Sequence, residues 1–163
     1  MHPVYRLFAT INSFAPTVLR LVLTTVFTVH GAQKTFGWFG GPGWNAQLAK
    51  WTAIEGMNLP YWLAVVGVVA EIVGAAGMLL GFCTRMVAML LCGQMMMAIL
   101  LVHAGNGFLQ TGGGFEYPLT LGGIALALVF CGGGQYSIDR MLTRQLLPPN
   151  PGMVGAYKLP SNV

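Results

Sequence analysis

The side chains that could do chemistry in this chain lie within or beside long apolar segments. They are Arg20, His30, Lys34, Glu71, Gln94, His103 and Glu116. Because ionisable groups are expensive in hydrocarbon, such residues by default face the interior of a helix bundle and mark a site. A histidine or lysine can donate a hydrogen bond to a carbonyl oxygen, and a carboxylate can carry protons. The sequence therefore predicts a polar pocket inside a membrane protein.

Helical spacing suggests which of these residues meet. At 100° per residue, Arg20, His30 and Lys34 fall on one side of the first apolar helix. Glu71 lies within about 40° of Gly67 on the second, on a face of small residues that permits close helix approach. We expect Glu71 to share a chamber with His30 and Lys34, and its carboxylate to reach one of them or Gln94. Gln94 and His103 are on opposite sides of an ideal helix, so one site requires a local break near Gly105.

Composition sets the class of protein. The chain has 163 residues, of which 55% are hydrophobic and 7% are charged, and its mean hydropathy is +0.68. Soluble domains carry about 25% charged residues, so the composition indicates a bilayer as solvent. The net charge of +4 is spread along the chain, which argues against a nucleic-acid partner. Three cysteines without a CxxC motif are expected to be small buried side chains and not a disulfide framework.

The apolar segments predict an all-α bundle of four membrane helices. The spans are expected at residues 17–36, 59–82, 85–104 and 117–132, near the ~20 residues that cross a bilayer. After the first, uncleaved span, a glycine-rich break precedes Trp44, Leu48 and Trp51, whose spacing predicts a short interfacial helix; a structured loop over the bundle mouth is the alternative. We assign residues 1–16 to an N-terminal lead, 17–140 to the membrane domain and 141–163 to a flexible tail.

Positive residues predict the topology. One side of the membrane is flanked by Arg6, Arg20, Arg85, Arg140, Arg144 and Lys158, and the other by Lys34 and Lys50. The positive-inside rule then places both termini in the cytoplasm.

Five motifs in order resemble the DoxX family of small four-helix membrane proteins, over most of the chain from 19 to 140. They are HGAQKTFGWFGGPG (30–43), Glu71 followed by Gly74, LVH ending at His103, GGGFEYP (112–118) and GGGQYSID. Ala75 stands where the family often has a second glycine. The resemblance implies a redox-associated protein of the cytoplasmic membrane. Relatives are linked to thiosulfate–quinone oxidoreduction, quinone or catechol stress, and an assembly that couples oxidant detoxification to thiol metabolism.

Beside that resemblance, the polar residues suit a quinone headgroup. We assign His30 and Glu71 as catalytic candidates that manage protons, and four residues as quinone ligands: Lys34, Gln94, His103 and Glu116. The structural alternative is that Glu71 pairs with Lys34 or His30 and sets helix register. Haem between His30 and His103 is disfavoured, since two histidines are few, and no metal site is predicted because ligand spacing is lacking.

Three function classes stay open. The first is a quinone-interacting component of a redox system, which could be a subunit of a quinone-dependent oxidoreductase. The second is a non-catalytic membrane anchor or accessory subunit bound to partner subunits of a larger complex. The third is a small proton-linked transporter, which the lack of an evident inverted repeat disfavours.

Overall fold

The computed structural model describes residues 8–54 and 57–146, and all the regular elements in these residues are helical. The helices are α1 (Ala15–Phe36), α2 (Gly43–Thr52), α3 (Tyr61–Leu80), α4 (Thr84–Ala98), α5 (Glu116–Cys131) and α6 (Ile138–Leu146). A π-helical turn, Ile99–His103, continues α4. Short 3-10 turns lie at Trp38–Gly40, after α1, and at Ala104–Asn106 and Gln110–Gly112, between the π turn and α5. The all-α class predicted from the sequence is confirmed.

Three segments are long and apolar enough to cross a membrane: Ala15–Phe36, Tyr61–Leu80 and Thr84–Asn106. The fourth apolar helix, α5, has 16 residues. These four form a ring in which α1 packs mainly on α3 and α4 mainly on α5, while α3–α4 and α1–α5 contacts close it. The bundle expected from hydropathy is therefore present, with α5 shorter than the other three.

Small residues let α3 and α4 approach closely. A Cβ added to Gly74 would lie 2.5 Å from Leu91 Cδ2, and one added to Gly77 would lie 2.8 Å from Val87 Cγ2. Leu91 is fully buried in the core of the bundle. The glycine seam predicted on α3 is thus an intramolecular contact.

The glycine-rich segment after α1 reverses the chain. Gly37 ends α1 with φ 72°, a left-handed conformation that glycine adopts without strain. The chain then forms α2, which packs against α1 and α3 and buries Leu48 on Ala64 and Val68. The predicted short helix after the first span is confirmed, and one of its faces lies over the bundle.

Two arginines, of which Arg20 is buried, close the opposite end of the bundle. Arg20 donates to the carbonyl of Met78 at 2.9 Å and also to that of Tyr136, so it satisfies free carbonyls at the end of α3. Arg85 does the same for α5, donating to Val129 O at 2.6 Å and Phe130 O at 2.9 Å. Arg20 therefore lies at the other end of α1 from Lys34 and acts as a helix cap.

The flexible tail predicted at 141–163 overlaps the end of α6. Residues 141–146 are the last turns of α6, and Thr143 Oγ1 donates to Phe8 O at 3.0 Å, which ties α6 to the start of the chain. The described residues do not include 1–7 and 147–163. Two of the residues used for the topology prediction, Arg6 and Lys158, lie in these segments.

Candidate functional site

A cavity of about 650 Å³ lies between the C-terminal end of α1, the short helix α2, helices α3 and α4, and the π turn. Its polar lining consists of Lys34, Gln47, Lys50, Glu71, Gln94 and His103. Most of the remaining wall is apolar and includes Met57, Leu63, Val66, Met89, Met95 and Met97. A mainly apolar cavity of this size with a few convergent polar groups is typical of a small-molecule site.

Glu71 is the most buried polar residue in the cavity, with 2% of its surface exposed. Its Oε1 forms an ion pair with the Lys34 ammonium and accepts a 2.8 Å hydrogen bond from Gln94 Nε2. Its Oε2 is buried and has no hydrogen-bond partner among the described residues. The prediction that this carboxylate reaches Lys34 or Gln94 is confirmed.

The close approach of α1 and α3 brings the ion pair together. A Cβ added to Gly31 would lie 3.3 Å from Ile72 Cγ1 and 3.7 Å from the backbone carbon of Glu71. Lys34 follows Gly31 by three residues and lies on the same side of α1. The glycine thus places the lysine side chain within reach of Glu71.

Trp51 of α2 forms part of the same site and was not predicted to do so. The Lys34 Nζ lies 5.1 Å from the centroid of the Trp51 ring, a distance at which a cation is attracted to an aromatic face. The ring occupies the space beside Gly67, where an added Cβ would lie 2.8 Å from Trp51 Cζ3. Gln47, four residues before Trp51, is buried and lines the cavity. The i, i+4 spacing of Gln47 and Trp51, which places both on one side of α2, was the sequence signal that could have predicted their shared position at the cavity.

The π turn brings His103 to the same side of the helix as Gln94. Gln94 and His103 both line the cavity, although nine residues of ideal α-helix would place them on opposite sides. The wider turn Ile99–His103 changes the phase of the helix before His103. The break therefore lies at 99–103, slightly earlier than expected. His103 Nδ1 lies 2.6 Å from Gly113 O, and because a carbonyl only accepts, this nitrogen carries the proton.

Two predicted site residues do not line the cavity. His30 Nε2 lies 3.5 Å from the hydroxyl of Tyr117 on α5, so His30 occupies the α1–α5 side of the bundle. The expectation that His30 shares a chamber with Glu71 is therefore wrong in this respect. Glu116, the first residue of α5, accepts a 3.0 Å hydrogen bond at Oε2 from the backbone N–H of Gln110 in the preceding loop.

The side chains that could ligate a metal ion are dispersed in the described part of the chain. Within residues 8–54 and 57–146, no three His, Cys, Asp or Glu side chains converge on a point where they could hold a metal ion. His103 lines the cavity described above and His30 does not.

Asp139 is a further buried charge, which ends the GGGQYSID motif but was not predicted to be a site residue. It is 1% exposed and accepts hydrogen bonds from the backbone N–H groups of Cys83, at 2.7 Å, and Thr84, at 2.8 Å. The carboxylate thereby satisfies free N–H groups at the start of α4. Its role is to hold the α3–α4 turn, far from the cavity.

Comparison with known proteins agrees with this architecture. The model of the DoxX family matches residues 15–104, from the start of α1 to just beyond the π turn. The inner membrane protein YqjF of Escherichia coli (strain K12) is 27% identical over 128 residues, which cover 78% of this chain and 92% of that protein. No solved structure matches the chain. Because the family match spans more than half of the sequence, this chain is an integral membrane protein that belongs to the DoxX family.

Proposed function

We propose that this protein is a quinone-interacting component of a redox system in the cytoplasmic membrane, and that its cavity holds the quinone headgroup. The observation that carries the proposal is the buried Glu71 carboxylate, whose Oε2 has no hydrogen-bond partner among the described residues. Leaving a buried polar atom unpaired costs free energy, so such an atom in a cavity wall is a candidate ligand contact.

The donor set suits the headgroup. A quinone offers two carbonyl oxygens, and its reduced form offers two hydroxyls. The Lys34 ammonium can donate to a carbonyl oxygen, and Glu71 Oε2 can accept from a hydroxyl. The Gln94 amide already donates both of its N–H groups, to Gly67 O and to Glu71 Oε1. Gln94 Oε1 is a second buried acceptor that has no partner within the described part of the chain. Both redox states of the ligand could therefore be hydrogen-bonded.

The charges suit proton management. A bound quinone supplies two-electron, two-proton redox chemistry. Lys34 is 21% exposed, while its partner Glu71 is 3% exposed in its side chain. The lysine is therefore the more accessible member of the pair. Glu71 holds a proton acceptor at the headgroup position, and the Trp51 ring keeps the ammonium over the cavity.

The electron donor and the partner subunits belong to the same proposal. The resemblance to DoxX proteins favours thiosulfate or a thiol as the donor, and inner-membrane placement agrees with the name of the E. coli relative. An accessory subunit without its own reaction is the second candidate. The observation that favours it is the Lys34–Glu71 pair, because such a pair can also fix the register of two packed helices.

A comparison of two carboxylates tests the proposal. Glu71→Gln retains shape and most hydrogen-bonding capacity but removes the titratable group. Glu116→Gln makes the same change in a carboxylate that does not line the cavity. We expect quinone reduction by membranes supplied with thiosulfate or a thiol to fall at least tenfold in Glu71→Gln, as for loss of a general base. Less quinone should also be co-extracted with the purified protein, because a charged hydrogen-bond acceptor is lost. The Glu116→Gln variant should keep both.

Two further variants separate the accessory role. Gly74→Leu forces α3 and α4 apart, and an anchor protein should then lose co-purifying subunits. Full activity in Glu71→Gln and in His30→Gln, combined with loss of assembly in Gly74→Leu, would overturn the quinone proposal in favour of a scaffold.

A further inference from the structure

The cavity opens on the outer face of α3 and α4. Four of its lining side chains are substantially exposed there: Val66 (48%), Met89 (50%), Leu90 (40%) and Met97 (40%). In an integral membrane protein, the exposed face of a spanning helix contacts lipid. The cavity wall on this side is therefore shared between the interior of the site and the bilayer.

Gly93 leaves a gap in that wall. It lines the cavity and is exposed, and no heavy atom lies within 4 Å of the position that its Cβ would take. Met89 and Met97 lie one turn to either side of it on the same face of α4. Methionine side chains are flexible and adapt to irregular apolar shapes. The three residues form an apolar slot, defined as Met89, Gly93 and Met97.

The polar groups lie at a depth that favours entry from lipid. Glu71 is ten residues from the start of α3 and Gln94 is ten residues from the start of α4. At 1.5 Å per residue each lies about 15 Å along its helix, which is close to the middle of a hydrocarbon core of about 30 Å. A ligand dissolved in the bilayer is already at this level.

From these observations we propose that the ligand is a tail-bearing amphiphile that enters laterally between α3 and α4. Its polar head contacts Lys34, Glu71 and Gln94, and its aliphatic tail lies in the slot at Gly93. The identity of the head rests on the proposed function. The new claim is the lateral route of a membrane-dissolved quinone and the position of its chain in the slot at Gly93. Entry from the aqueous end past Lys50 and His103, which also line the cavity, is the competing route.

A pair of glycine variants tests the slot. Gly93→Leu places a branched side chain in it. Gly123→Leu is the matched control, because Gly123 lies on α5, is exposed, has no heavy atom within 4 Å of its Cβ position and does not line the cavity. Both changes raise helix propensity equally. Gly93→Ala fills less of the slot and should shift binding in the same direction by a smaller factor.

The probes are two benzoquinones with the same ring, one carrying a decyl chain and one carrying methyl in its place. Their affinities are measured with the purified full-length protein in lipid nanodiscs, by quenching of tryptophan fluorescence, since Trp51 lines the cavity. We expect Gly93→Leu to weaken binding of the decyl quinone about tenfold, the effect of losing about two methylene contacts. Binding of the methyl quinone should change less than twofold, and Gly123→Leu should alter neither.

The outcomes separate this inference from the proposed function. If Glu71→Gln abolishes binding of both quinones but Gly93→Leu leaves the decyl quinone unaffected, the headgroup site stands and lateral entry is wrong. Equal affinity of the wild-type protein for both quinones would also overturn the tail slot. If the wild-type protein binds neither quinone, the proposed function fails and the inference fails with it.

Discussion

Lys34 of α1 and Glu71 of α3 form an ion pair that is buried at one end and accessible at the other. The Glu71 side chain is 3% exposed and the Lys34 side chain is 21% exposed. The pair uses one carboxylate oxygen, Oε1, which also accepts from Gln94. The pair therefore joins two helices, while the second carboxylate oxygen, Oε2, is buried and has no hydrogen-bond partner among the described residues.

Removing the lysine should leave an uncompensated charge in the bundle. We expect Lys34→Met to lower the free energy of unfolding by about 3–5 kcal/mol, because Glu71 would then be buried without its cation. The double variant Lys34→Met with Glu71→Leu should recover most of that loss. Lys50→Met is the control, since Lys50 forms no ion pair within the described residues. The free energy of unfolding of the wild-type protein and of the three variants is measured in mixed detergent by circular dichroism.

Equal losses in Lys34→Met and Lys50→Met would contradict a buried pair, and so would a double variant that is less stable than Lys34→Met.

Close packing of α3 on α4 makes Gly74 intolerant of even a methyl group. A Cβ there would lie 2.5 Å from Leu91 Cδ2, and the fully buried Leu91 has no room to move away. We expect Gly74→Ala to cost about 1–3 kcal/mol through overpacking. Gly123→Ala, in open space on α5, should instead stabilise the protein by about 0.5–1 kcal/mol through helix propensity. Thermal unfolding of both variants in one detergent tests the opposite signs.

The surroundings of Cys83, in the turn between α3 and α4, predict how alkylation of its thiol depends on pH. Burial raises the pKa of the Cys83 thiol, and the negative charge of Asp139 raises it further. Because the thiolate is the nucleophile, both effects move alkylation of Cys83 to higher pH. In a background with Cys92→Ser and Cys131→Ser, Asp139→Asn should shift the rate–pH profile for iodoacetamide to lower pH. It should also cost about 1–3 kcal/mol of stability, since an asparagine amide has one acceptor oxygen for the two backbone N–H groups that the carboxylate now holds.

The control for this shift is Glu116→Gln, which changes a carboxylate at the start of α5. An unchanged profile in Asp139→Asn would show that the carboxylate does not act on the thiol.

The topology prediction can be tested at positions that the structure leaves accessible. Single cysteines are introduced at Asn45, Phe82 and Asn106 in a cysteine-free background, and whole cells are labelled with an impermeant maleimide. Phe82 is 45% exposed in the α3–α4 turn, whereas neighbouring Arg85 holds the end of α5. With both termini cytoplasmic, positions 45 and 106 should be labelled from outside and position 82 should not. Labelling from outside at position 82 alone would show that the chain has the opposite orientation.

Local properties of the chain were sufficient for the class and order of the helices. Hydropathy and the charge deficit belong to the composition, and glycine clusters such as 37–43 interrupt helices wherever they occur. The helical face of Glu71 also follows from periodicity, since the small residues beside it mark the side that packs. The Glu71–Lys34 and Glu71–Gln94 contacts could therefore be anticipated before any coordinates.

Only the tertiary structure decided which polar residues share the cavity. His30 and Lys34 differ by about 40° on one helix, yet His30 contacts Tyr117 on the α5 side while Lys34 reaches Glu71. Periodicity gives the face of a residue, but the rotation and tilt of each packed helix decide which groove that face meets. The π turn before His103 and the placement of Trp51 over Gly67 likewise depend on contacts between distant segments, which local sequence patterns do not specify.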